Sequence, residues 1–257
     1  MPPDLDDDYE GEPLQSGGGK PGHASVASNY DRTAAMAYAA TYWDKTCSDG
    51  FVGVSKQKTS FREVPPTTPF MNAGVGGSES TVGTDGVIIP ASDLEDCTHF
   101  TSCCIGNPWD AAKLRPMLQS NPNLPKSQAP VIKAGGLDIP PDWLGTGAVW
   151  LYGKVGAPQL IEHLISKGLA KPVTPKRMMT GDEAADWFLN VNNGGGSTDR
   201  YLKPGDVIGL AVNRIYTHVM LYAGNQTISC HTWCRNQAYW RISTSATASY
   251  TLLHIKD

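Results

Sequence analysis

The chain has 257 residues, of which 40% are hydrophobic and 18% charged, and its net charge is −4. This composition excludes collagen, coiled coils and wholly disordered chains, and no run of about 18 apolar residues is present that would span a membrane. Residues 1–28 hold six acids and one base, so the remaining 229 residues are almost neutral, with 20 bases and 19 acids. A near-neutral body argues against nucleic-acid binding, which needs a clustered basic face.

Residues 1–28 are acidic and rich in Gly, Ser and Pro, which predicts a disordered, solvated tail ahead of one folded domain at 29–257. The tail lacks the basic start and apolar run of a signal peptide. We therefore expect a protein that is cytoplasmic or exported by a dedicated, non-Sec secretion machine.

Helical periodicity predicts four helices, at 30–43 with Asn29 as N-cap, and at 97–104, 157–168 and 182–190. The segments 48–92 and 107–199 are long inserts. The first has no helical period and is predicted to be an extended loop or a small β insert. Residues 105–149 are predicted to be mostly loop, because seven prolines fall between Pro108 and Pro141.

The end of the chain changes to short alternating segments, which predict strands at 207–212, 217–222, 226–231 and 250–255. Helices first and an antiparallel sheet later is the pattern of an α+β fold.

Two histidines are predicted to meet on this sheet. A two-residue turn at Gly224-Asn225 makes facing residue numbers add up to 449, which places His218 opposite His231. Directly opposed residues have Cβ atoms about 4.5–5.5 Å apart.

Cys97 directly follows Asp96, a good N-cap, so it is predicted to lie in the first turn of a helix. The unpaired N–H groups and the positive end of the helix dipole lower the pKa of a thiol there and can hold an oxyanion. A thiolate nucleophile needs a base, and the base needs an orienting group. His218 and His231 fit these two roles.

Several segments resemble amidase-like domains and their NlpC/P60 relatives. They are the helix at 30–43, the motif Asp96-Cys97-Thr98-His99-Phe100, and the segments 202–208, 217–225 and 228–232. The resemblance implies a papain-like fold with Cys97 as nucleophile, His218 as base and His231 as third polar group. We expect the remaining site residues, Asp96, Thr98 and His99, to support the oxyanion or line the cleft. His99 stands where those domains usually have Asn.

The resemblance also implies hydrolysis of an amide bond through a thioester, without a cofactor. Bacterial cell-wall peptide, the stem peptide of peptidoglycan, is the expected substrate. An exported antibacterial effector, with an immunity or secretion-machinery partner, would fit that substrate. A non-catalytic papain-like binding module and a papain-like acyltransferase are the alternatives. In permuted acyltransferases the histidine strand precedes the cysteine, whereas here Cys97 precedes His218.

Six cysteines in 257 residues are too sparse for a disulfide scaffold, and most are predicted to be reduced. A disulfide within the set Cys103, Cys104, Cys230 and Cys234 is one open possibility. Zinc is another, since Cys230-His231-x-x-Cys234, Cys97-x-His99 and Cys103-Cys104 supply the right donors. Their spacing matches neither a zinc ribbon nor a finger, so no metal is predicted.

Overall fold

The computed structural model describes most of the chain from residue 29 onward. The described ranges are 29–54, 61–74, 78–140, 150–154, 156–192 (without the side chains of 190–192), 201–231 and 236–257. The predicted tail at 1–28 lies outside the described residues. The fold is mixed α+β, as predicted.

Five α-helices occur in the described part of the chain. They are α1 (Arg32–Tyr42), α2 (Cys97–Ile105), α3 (Ala111–Ser120), α4 (Ala157–Ser166) and α5 (Gly181–Asn192). The four predicted helices are confirmed to within a few residues at their ends. None of the described helices has both the length and the apolarity needed to cross a membrane.

Two details of the helices differ from the prediction. The N-cap of α1 is Asp31 rather than Asn29, because the Asp31 carboxylate accepts a hydrogen bond from the Ala34 N–H at 2.9 Å. Helix α3 falls in the segment predicted as loop and contains Pro116. Asp110 caps this helix by accepting a hydrogen bond from the Lys113 N–H at 3.3 Å. This cap offsets part of the helix stability that is lost at the proline.

One antiparallel sheet dominates the fold. Its seven strands are β5 (Ala170–Pro172), β6 (Met179–Thr180), β7 (Val207–Val212), β8 (Ile215–Gly224), β9 (Thr227–Ser229), β10 (Ala238–Tyr239) and β11 (Ala248–Ile255). The order is β10-β9-β8-β7-β11-β5, and β6 also pairs with β11. The predicted insert at 48–92 forms two small hairpins, β1 (Phe51–Gly53) with β2 (Phe61–Glu63) and β3 (Thr81–Val82) with β4 (Ile88–Ile89).

Helices cover the sheet on both faces. Side chains of α1, α2 and α4 pack with Val219 and Leu221 of β8 in one core. On the other face, Phe188 of α5 packs with the neighbouring β8 residues Met220 and Tyr222. Alternate residues of a strand point to opposite faces, so β8 is buried on both sides.

The β8–β9 register differs by one residue from the predicted one. Leu221 faces Ser229, so facing numbers add up to 450, and the turn is Asn225-Gln226, with φ of 49° and 56°. Gly224, with φ of 93°, sits at a bulge that absorbs the extra residue. A slip of one residue moves a side chain to the other face of the sheet. The predicted facing of His218 and His231 is therefore wrong.

The buried carboxylate of Asp206 ties α1 to the sheet. Its Oδ1 accepts from Arg32 Nη1 at 2.6 Å and from the Ile255 N–H at 3.0 Å, and its Oδ2 accepts from the Lys203 N–H at 2.7 Å and from His254 Nδ1 at 2.9 Å. One side chain thus joins α1, the turn before β7, and β11.

We predict that Asp206→Ala lowers the free energy of unfolding by about 3–5 kcal/mol, because it leaves donors around a buried site without their acceptor. Urea denaturation measures this. The matched control is Asp85→Ala, which removes the same kind of partner from Arg62 at the surface. Equal effects of the two substitutions would contradict the role given to Asp206.

Candidate active site

Cys97 and His218 line the same cleft, and each shifts the pKa of the other through its charge. Cys97 is the first residue of α2, and His218 lies near the middle of β8. The structure therefore brings together the predicted nucleophile and the predicted base, although 121 residues separate them in the chain.

The environment of this pair favours its charged form. Burial alone raises the pKa of the Cys97 thiol, but the His218 charge, its hydrogen bond and the Val219 N–H outweigh burial and lower that pKa. Burial likewise lowers the pKa of His218, while the Cys97 thiolate raises it to a net upward shift. A thiolate facing an imidazolium is the reactive state of a cysteine nucleophile.

A cleft of about 380 Å³ opens onto the pair. Cys97, Thr98 and His218 line it together with Leu94, Glu95, Gly156, Ala157, Pro158, Tyr216 and Thr217. Cys97 keeps 7% of its surface exposed, and this residue forms part of the cleft wall. Of the three residues predicted to line the cleft or support the oxyanion, Thr98 lines it, with its Oγ1 3.7 Å from the sulfur.

Asp96 lies at the N-cap of α2, but its side chain does not cap the helix. Its Oδ1 accepts from the Gly53 N–H at 2.6 Å and from His99 Nδ1 at 3.0 Å, and its Oδ2 accepts from His231 Nδ1 at 2.6 Å. Burial raises the pKa of this carboxyl, but the two imidazoles outweigh burial and lower it to about 2. Because the side chain turns away, the first N–H groups of α2 have no side-chain cap and can hold an oxyanion.

His231 lies behind the cleft rather than beside His218. Besides donating to Asp96, its ring donates from Nε2 to the Tyr42 carbonyl at 2.6 Å and stacks on Phe100 with ring centroids 4.0 Å apart. Both ring nitrogens are thus engaged elsewhere. The atom next to His218 Nε2 is instead Cys230 Sγ, at 3.3 Å. His231 holds Asp96, and through Asp96 it holds the start of α2.

His99 is also buried away from the cleft. Its Nε2 lies 2.9 Å from Asp49 Oδ2, opposite the bond from Nδ1 to Asp96. Burial lowers the pKa of His99, but the two flanking carboxylates, Asp49 and Asp96, raise it well above its usual value. The pattern of the sequence did not single out Asp49. One sequence feature could have indicated a partner such as Asp49: a histidine on the buried face of a helix needs hydrogen-bond partners for both of its ring nitrogens.

The cysteines divide into two groups in the described part of the chain. Cys47, Cys97, Cys103 and Cys104 are free and buried. Cys230 is disulfide-bonded. Cys234 lies outside the described residues.

A model of the family described as "Putative amidase domain" matches residues 29–253. The chain belongs to this family. The match covers α1, α2 and nearly all of the sheet, and it confirms the resemblance to amidase-like domains. The family points to hydrolysis of amide bonds. No curated protein and no solved structure matches the chain.

We predict that Asp96→Asn lowers the free energy of unfolding by about 3–5 kcal/mol, because an amide cannot accept from both buried imidazoles as the carboxylate does. Urea denaturation again gives the measurement. The control is Glu95→Gln, a neutralised carboxylate at the adjacent, exposed position. The Asp96 network would be refuted by an Asp96→Asn protein as stable as the wild type.

Proposed function

We propose that the protein is a cysteine amidase in which Cys97 is the nucleophile and His218 the base. The observation that carries the proposal is that Cys97 and His218 lie together at the wall of one cleft, where the charge of each shifts the pKa of the other. Membership of an amidase family supplies the class of bond.

The reaction follows from the positions of these groups. The Cys97 thiolate attacks the carbonyl carbon of the amide, and the carbonyl oxygen becomes an oxyanion near the first N–H groups of α2. His218 gives its proton to the leaving amine as the C–N bond breaks, which leaves a thioester on Cys97. A water molecule, deprotonated by His218, then attacks the thioester and releases the carboxylic acid and the thiol.

In this proposal the three histidines of the site have different tasks. His218 exchanges protons with the reacting groups. His231 and His99 act as positioning residues, because they hold Asp96 and so fix the residue before the nucleophile. In place of the triad predicted from the sequence, we propose a catalytic pair, Cys97 and His218, with buried positioning residues behind it.

The same elements support a papain-like arrangement, in which the nucleophile at a helix start packs against an antiparallel sheet that carries the base. Helix α2 contacts β8 along this junction. The chain order also supports an unpermuted papain-like arrangement, because the helix that carries Cys97 precedes the strand that carries His218.

For the substrate we propose a peptide of the bacterial cell wall, as the resemblance to NlpC/P60 proteins implies. The cleft suits a peptide in its mixed lining: apolar Leu94 and Pro158 lie beside the polar Glu95 and Thr217. An exported antibacterial effector, with an immunity or secretion-machinery partner, is the biological role this substrate would fit.

Digestion of purified peptidoglycan with the full chain, followed by mass spectrometry of the fragments, tests the substrate. We expect stem peptides shortened by hydrolysis of one type of amide bond. A parallel assay on a set of unrelated acyl-peptide amides distinguishes the proposed amidase activity from the proposed cell-wall substrate. Cleavage of those amides alone would overturn the cell-wall substrate, and cleavage of neither would overturn the amidase.

On whichever amide is cleaved, Cys97→Ala should abolish hydrolysis, because no thioester can form. His218→Ala should lower kcat by about 10²–10⁴-fold, the usual contribution of a general acid–base group. Both variants should keep the wild-type circular dichroism spectrum. Cys104→Ala is the matched control, since it removes another buried thiol of α2 and should stay active. An active Cys97→Ala enzyme would rule out the nucleophile assignment.

A further inference from the structure

We infer that a second group of side chains, behind the cleft, is a metal site: Cys47, His99 and Cys103, with Asp49 beside them, bind one divalent transition metal, best matched by zinc. We call these four residues the Cys47–Cys103 cluster. None of them lines the cleft with Cys97, and the proposed amide hydrolysis does not use them as reacting groups.

The donor atoms of the cluster already lie close together. Cys47 Sγ, Cys103 Sγ and a ring nitrogen of His99 are all within 4.8 Å of one another. His99 Nε2 is 3.5 Å from Cys103 Sγ and 2.9 Å from Asp49 Oδ2. Tetrahedral zinc with bonds of about 2.0–2.3 Å separates its donors by about 3.3–3.8 Å, so small shifts suffice to admit the ion.

Local structure holds these donors in place before any metal arrives. His99 and Cys103 are four residues apart on α2 and therefore share one face of the helix. Cys47 and Asp49 lie in the turn after α1, where the Tyr38 hydroxyl accepts the Ser48 N–H at 3.0 Å. Zinc sites are commonly built in this way, from ligands in a turn and ligands on a helix that lie close together.

The surroundings of His99 resemble the outer shell of a metal-bound histidine. Its Nδ1 donates to Asp96 Oδ1, which leaves Nε2 facing the two thiols and Asp49. Metal-binding histidines usually donate their other N–H to a carboxylate in this way, and that bond fixes the ring.

The chemistry of the donors suits a divalent ion of the zinc type. Thiolate sulfur and imidazole nitrogen are the ligands that zinc prefers in proteins.

A second set of donors in the same region is less suited to a metal. Cys47 also lies within 4.8 Å of donor atoms of Asp96 and His231. Both ring nitrogens of His231, however, are held in hydrogen bonds of 2.6 Å, to Asp96 and to the Tyr42 carbonyl. Binding there would break one of these 2.6 Å bonds, whereas binding at His99 replaces the longer contacts of Nε2 to Asp49 and Cys103, at 2.9 and 3.5 Å.

Asp49 also borders a second cavity, of about 490 Å³, whose walls include Phe51, Arg115 and Trp150. This cavity shares no lining residue with the cleft of Cys97. Asp49 thus lies between the cavity and the ring nitrogen of His99.

Elemental analysis of the full chain, produced with added zinc and then exhaustively desalted, tests this inference. We expect about one zinc per chain for the wild type, and at least a fivefold loss in Cys47→Ser and in Cys103→Ser. Cys104→Ser is the matched control, since this buried thiol neighbours Cys103 but is not among the donors. Cys97→Ala should keep its zinc, which separates this test from that of the catalytic pair.

Less than about a tenth of a zinc ion per wild-type chain would overturn the inference, and so would full zinc content in Cys103→Ser. If the serine variants do not fold, the wild type still decides the matter. A zinc chelator should then lower the Tm of the wild type, while a non-chelating isomer of the same compound leaves it unchanged. Equal Tm values with the two compounds would also overturn the inference.

Discussion

The carboxylate of Asp96 is the point on which the candidate site depends. It is almost completely buried, and it accepts hydrogen bonds from a backbone N–H and from two imidazoles that come from distant parts of the chain. A buried charge is tolerated only when it is paired and hydrogen-bonded. These three hydrogen bonds fix the position of the Asp96 side chain, and they therefore also restrict the position of the next residue. That residue is Cys97.

The same constraint explains why the first turn of α2 suits an anion. An aspartate at an N-cap ordinarily uses its side chain to satisfy the first N–H groups of the helix. Here Asp96 turns inward to the imidazoles, and Cys97 and Thr98, the first two residues of α2, line the cleft. The start of α2 thus lacks a side-chain cap, and the positive end of its dipole lies at the wall of the cleft.

Much of the fold was predictable because it is encoded locally. Periodicity identified α1, α2, α4 and α5, whose buried faces recur every three or four residues. Helix α3 escaped because Pro116 argues against a helix, whereas the packing of Leu114 and the cap of Asp110 favour one. The short strands β5, β6 and β10 have two or three residues each, and only their partners elsewhere in the chain define them.

The site was predictable in part, for the same reason. The helix start at Cys97 and the strand carrying His218 are local features, and the structure packs the helix against the strand so that both residues line one cleft. His231 was misplaced because a single bulge at Gly224 shifts the hairpin by one residue. Cys47 and Asp49 meet His99 across about 50 residues of chain, and no spacing rule connects such positions.

Alkylation of the chain by limiting iodoacetamide, with the modified cysteine identified by peptide mapping, tests the Cys97–His218 pair most directly. The account predicts that Cys97 reacts first, that hydrolysis is lost in step with its modification, and that His218→Ala slows its alkylation by about tenfold or more, because the thiolate loses its partner. A Cys97 that reacts no faster than Cys104, or at the same rate in His218→Ala, would contradict it.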